Sequence, residues 1–121
     1  MSAYTAERTE VPVSIANGGT ASAEVNVGKG RVVGIKMPAA WTAGNITFQA
    51  LIRQPAGNPA APVFGNVVDG AGAAIVVCAT PTADTYFALP PTVDFIGLGR
   101  IKVVAGAAQG AQRDFFLVVV G

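Results

Sequence analysis

Glycine and proline cut this sequence into short runs, none of which sustains a helical period. Fifteen Gly and eight Pro are spread along 121 residues, and the runs between them are rich in Val, Ile, Thr and Phe. Short β-branched runs bounded by turn residues are the pattern of an all-β sandwich or barrel. No internal repeat is visible, so a solenoid or propeller is not expected. At this length one domain with one real core is the natural outcome.

Val11, Val13 and Ile15 alternate up to a turn at Asn17-Gly18-Gly19. From Thr20 to Val27 the alternation is strict: Ala21, Ala23, Val25 and Val27 share one face, and Thr20, Ser22, Glu24 and Asn26 the other. After Gly28-Lys29-Gly30, a strand over Arg31–Met37 places Val33, Ile35 and Met37 on one face and ends at Pro38, which has no N–H to give a ladder. Pro38–Trp41 reads as a corner, or as one helical turn. Asn45–Ile52 resumes the alternation with Ile46, Phe48, Ala50 and Ile52 inward. Gln54–Pro62 is the clearest loop, a stiff proline-rich tip. Val63–Val68 and Ala73–Ala79 flank a turn at Asp69-Gly70. AAIVVCA is apolar on both faces, which suits a central strand or one covered by a partner. Short strands follow at Tyr86–Leu89 and Arg100–Ala105, then a small-residue loop, then Asp114–Val120. That last run has high β propensity and no proline, and is tolerable only at the centre of a sheet or inside an interface. The expected fold is a two-sheet, jelly-roll-like β-sandwich of about eight or nine strands over residues 11–121. Residues 1–10 form an extended arm, either frayed or ordered on a neighbouring subunit.

The chain offers little chemistry. It has no histidine, which removes Ser-His-Asp and Cys-His triads and the commonest metal ligand. The single Cys78 excludes an internal disulfide and a structural zinc site; buried packing is its expected role. Among the carboxylates Glu7, Glu10, Glu24, Asp69, Asp84, Asp94 and Asp114, no close motif within the expected fold suggests an acid pair. Gly28-Lys29-Gly30-Arg31 lacks P-loop spacing, and Gly97-Leu98-Gly99-Arg100 precedes a strand rather than a helix, so both read as turns. No cofactor and no enzymatic activity are expected. The net charge of +1 is built from scattered cations, which argues against nucleic acid. No apolar run reaches the length of a membrane helix, and the first ten residues lack the apolar core of a secretory signal. Only 12% of residues are charged, against about 25% in an ordinary soluble domain, so part of the surface is expected to be covered by partners. Trp41 reads as a core plug beside Pro38 and Phe48; exposed, it would instead stack on a sugar or anchor a partner. Arg53 and Arg100 are expected as solvated charges, with Asp69 or Asp94 the nearest candidates for pairing.

The string Gly34-Ile35-Lys36-Met37-Pro38-Ala39-Ala40-Trp41-Thr42-Ala43, followed by Ile46-Thr47-Phe48-Gln49-Ala50, resembles a group of small virion structural proteins of tailed phages and prophages that share an "MPAAWT…TFQA" core. The similarity continues in Phe87–Pro91, in Gly99–Val103, and in Gln112 and Arg113 ahead of the final strand. Where those relatives show Ser-x-Asp-Gly after the Phe-Gln strand, this chain has Leu51-Ile52-Arg53-Gln54 and the proline-rich loop.

The resemblance implies a bacteriophage capsid decoration (cement) protein that binds across capsomer boundaries on the virion surface after assembly in the host cytoplasm. Its partners would be the major capsid protein and further copies of itself, as a homotrimer. Tyr4, Glu7, Arg8 and Glu10 of the arm, Pro55 and Asn58 of the loop, and Phe116 of the last strand are the expected contact residues. The alternatives are a receptor- or glycan-binding module of a fibre, using Trp41, Tyr86 or the loop tip, and a head–tail or tail component.

Overall fold

The computed structural model describes residues 8–54, 62–89 and 99–121. They form an all-β sandwich of nine strands: β1 (Arg8–Ile15), β2 (Val25–Gly28), β3 (Arg31–Lys36), β4 (Ile46–Arg53), β5 (Val63–Asn66), β6 (Val76–Cys78), β7 (Tyr86–Ala88), β8 (Gly99–Ala105) and β9 (Arg113–Val120). Sheet A has the order β1-β9-β3-β7; sheet B has the order β2-β8-β4-β5, with β6 also on β4. Every pairing is antiparallel.

The core lies between the sheets. Val13 and Ile15 of β1, Ile35 of β3, and Phe115 and Leu117 of β9 meet Ile46 and Phe48 of β4 and Ile101 and Val103 of β8, all at most 2% exposed. The apolar last strand is central, between β1 and β3, so both of its edges are paired. Val119 and Leu117 point into the core, while Phe116 faces outward and is 41% exposed.

Several expectations based on strict alternation are corrected at irregular pairings. In β3 the register shifts between Val32 and Gly34; Val32 enters the core and Val33 is only half-buried. In β4 a shift between Leu51 and Arg53 accompanies an Ile52 that is 57% exposed rather than inward. Between Thr20 and Val27 the parity also breaks: Ser22 is buried, and Ala21 and Ala23 are exposed. The Ser22 hydroxyl accepts the Val103 N–H at 2.9 Å and donates to Ala23 O at 2.7 Å, so this inward polar group is satisfied. An extra residue in one strand moves every later side chain to the other face.

Strand β6 is not central. It shares one flank of β4 with β5, β5 lying along Gln49–Arg53 and β6 along Ile46 and Thr47. The chain between them loops out through the expected turn, where Asp69 Oδ1 accepts the N–H groups of Ala71 and Ala73 at 2.9 and 3.0 Å and closes an Asx turn. Val76 on this edge is exposed, whereas Val77 and Cys78 are buried. At the start of the chain, Arg8, Thr9 and Glu10 are not arm residues: they pair with Val120, Val119 and Val118.

Pro38–Trp41 is a corner without a helical turn. Trp41 is half-buried and meets Phe115 edge-on, with ring centroids 5.7 Å apart and planes at 82°. Its Nε1–H donates to Gly44 O at 3.2 Å. Thr42, next in the chain, is held by Gln109, which is 1% exposed despite lying among small residues. Gln109 Oε1 accepts Thr42 N–H at 3.0 Å and Arg113 Nε–H at 3.2 Å; its Nε2 donates to Thr42 O and Ala107 O at 3.3 and 3.1 Å. The Gln109 carbonyl accepts Gly18 N–H at 2.7 Å, with Gly18 at φ 79°. Three loops are thereby tied together at one end of the sandwich.

Candidate interaction surface

The outer face of sheet A is the most distinctive surface of the molecule. Residues directly opposite one another on antiparallel strands share a face. The register aligns Tyr86 with Lys36, Lys36 with Phe116, and Phe116 with Pro12. One row therefore crosses all four strands: aromatic, cation, aromatic, proline. The next row is Ala88, Gly34, Val118 and Glu10.

Tyr86 is 46% exposed, and it lies across Gly34. A Cβ at Gly34 would overlap the phenol and meet Phe87 O at 3.0 Å. The absence of that Cβ lets the ring lie flat on the sheet instead of standing away from it. Val118, beside Gly34, is outward in register yet 1% exposed. Lys36 Nζ is ion-paired with a Glu10 carboxylate oxygen across the strand that carries Phe116 and Val118. Both partners are nearly half-exposed, so the pair adds little to stability; it orients the lysine stem over β9.

Of the expected contact residues, Arg8, Glu10 and Phe116 come together on this face, since Arg8 and Glu10 are opposite Val120 and Val118 on β9. Tyr4, Glu7, Pro55 and Asn58 lie outside the described residues. Tyr86 joins them through a register set by long-range pairing, which local sequence does not encode. Lys36 and Gly34 were not singled out for contact by the sequence. The only hint was a lone cation within an apolar run.

A shallow groove of about 320 Å³ continues the face around the β1 side, between Pro12, Ser14 and Phe116 and residues Glu24 and Val25 of the opposite sheet edge. A second, of about 380 Å³, lies further along between Thr9 and Val11 and the Asn26–Gly30 turn. Neither holds a cluster of ionisable groups. Among the described residues no group of three or more His, Cys, Asp or Glu is placed to hold a metal ion.

No family model, curated protein or solved structure matches this chain. The surface is therefore read from its own geometry.

The other outer face, on sheet B, is polar and self-engaged. Arg100 pairs with Glu24 at 2.7 Å and donates to Gln54 Oε1 at 2.8 Å, instead of reaching Asp69. Lys102 sits 4.9 Å above the centre of the Phe64 ring, and Gln49 donates to Asn66 at 3.2 Å. Cys78 is buried, and burial pushes its thiol up, only partly opposed by a hydrogen bond with the Thr80 backbone. A protonated, enclosed thiol is a poor nucleophile. Trp41, edge-on to Phe115, is part of the packing and not a free stacking surface.

Proposed function

We propose that this chain is a bacteriophage virion structural protein without enzymatic activity, and specifically a capsid decoration protein. The observation that carries the reading is the resemblance over Gly34–Ala43 and Ile46–Ala50. The structure supplies a physical reason for those residues to recur together. Met37 is core, Trp41 packs on Phe115, Thr42 is gripped by Gln109, and Phe48 is fully buried. They specify a scaffold, and the contacts are made elsewhere.

In this reading the work is mechanical. Copies on the capsid surface, as homotrimers, bind the major capsid protein where capsomers meet. Each contact buries about 1,600 Å² and must be broken before the shell can deform. The stretch from Met1 to Glu7 and the adjoining Arg8 reach the shell. Purified particles give the test: a mass-spectrometric and cryo-EM count of hundreds of copies on the head supports decoration, and a handful at a vertex or tail refutes it. A chain lacking Met1–Glu7 that still occupies particles fully would remove the role of that stretch.

The flat, exposed Tyr86 ring favours one second reading, a glycan- or receptor-binding module of a fibre, because sugar rings stack on such a surface. Glycan-array binding lost in Tyr86→Ala, with no copies on the head, would establish it in place of decoration.

A further inference from the structure

We propose that the Tyr86–Lys36–Phe116–Pro12 row binds the proline-rich segment Gln54–Pro62 of a second copy of this chain. The inference goes beyond the virion reading and stands without it.

The row has the dimensions of a polyproline ligand. Tyr86 and Phe116 are on β7 and β9, with β3 between them, so they are separated by two strand spacings, about 10 Å. One turn of a polyproline II helix is three residues at about 3.1 Å each, about 9 Å. Pro59-Ala60-Ala61-Pro62 has this three-residue period, placing successive pyrrolidine rings over successive aromatics. A polyproline helix leaves its carbonyls unpaired, and the Lys36 ammonium lies between the two rings to donate to them. The Gln54–Pro62 segment carries no charge, so the half-exposed Lys36–Glu10 pair faces neither attraction nor repulsion. Proline fixes φ before binding, which lowers the ordering cost.

The occupant comes from another copy for reasons of reach. The segment leaves sheet B after Arg53 and returns at Val63, which are paired partners. A closed excursion of this length projects roughly 15 Å. The outer face of sheet A lies beyond a second sheet about 10 Å away, and the segment would still have to lie along that face. Between copies the contact is heterologous, face to loop, and closes into a ring if the rotation allows. A trimer is one such ring.

The test uses the full-length protein in solution. Sedimentation equilibrium is run on the native chain, on Phe116→Ala, on Pro62→Ala, and on Phe64→Ala as a control on the opposite face. A synthetic QPAGNPAAP peptide is titrated onto the native chain while the Tyr86 and Phe116 ring resonances are followed. We expect a native oligomer whose dissociation constant rises at least tenfold in Phe116→Ala and in Pro62→Ala but not in Phe64→Ala, with the peptide shifting both rings and dissolving the oligomer. A native monomer whose rings ignore millimolar peptide overturns the proposal. So does an oligomer indifferent to both substitutions, or one sensitive to Phe116→Ala alone with no peptide response. Ring shifts produced by oligosaccharides and not by the peptide overturn it as well. The titration uses native protein, so misfolding of a variant cannot mask the result.

Discussion

Thr42 and Gln109, 67 residues apart in sequence, are joined in both directions: the Thr42 N–H donates to Gln109 Oε1, and Gln109 Nε2 donates back to Thr42 O. The side-chain amide imitates a strand partner for a backbone that has left the sheet. Arg113 extends the contact by donating from Nη2 to Thr42 Oγ1 at 3.2 Å.

Gln109→Leu keeps most of the volume and removes every one of these partners. It should cost about 2–3 kcal/mol, because the backbone groups of Thr42 lose their only polar neighbour here. Gln112→Ala, three positions away and exposed, should stay within about 0.5 kcal/mol. Urea denaturation of the two variants reads the contrast.

Gly34 should tolerate no side chain while Tyr86 lies over it. Gly34→Ala forces the ring off the sheet, at a cost of about 1–3 kcal/mol. On a Tyr86→Ala background most of that cost should vanish, leaving the contact with Phe87 O. A double-mutant cycle measures the coupling; additive effects would mean the ring does not rest there.

The start of β1 sets a limit for truncation. Removing Met1–Glu7 leaves every described β1–β9 pair in place. Removing Arg8–Glu10 as well strips the partners of Val118–Val120 and uncovers Val118. We expect the longer deletion to lower the thermal midpoint by several degrees relative to the shorter one, in differential scanning calorimetry.

Cys78 should make the protein alkali-sensitive. Its thiol pKa is raised in the folded state, above the ordinary value of 9.0, chiefly by burial. The unfolded thiol therefore ionises first as pH rises. The contribution is fully present below the unfolded pKa and is lost as pH climbs toward the folded one. Cys78→Ala should flatten the fall in stability above pH 9 and leave its profile at neutral pH unchanged in shape.

Much of the sandwich was legible in the sequence because alternation and turn residues act locally. The Asp69 turn, the end of β3 before Pro38 and the alternation of Val11, Val13 and Ile15 are all written within a few residues. Val32, Ser22 and Ile52 were misassigned for a single reason: one extra residue reverses parity, and counting by twos cannot see it. The surface was harder to read. Phe116 stood out as apolar, but its alignment with Lys36 and Tyr86 depends on pairings between residues far apart. Gln109 carried no local signal at all. A glutamine among alanines and glycines looks like a solvated loop until three other loops converge on it.

The central position of β9 governs the order in which this molecule can be made. When a ribosome has released the chain through Ala105, sheet B has all its strands, whereas β1 and β3 still have a gap between them. That gap is filled only when Arg113–Val120 emerges. Until then the nascent chain holds half a sandwich with its apolar inner face open. A stall or premature stop within those last residues would leave this half-structure exposed to any other unfinished copy on the same message.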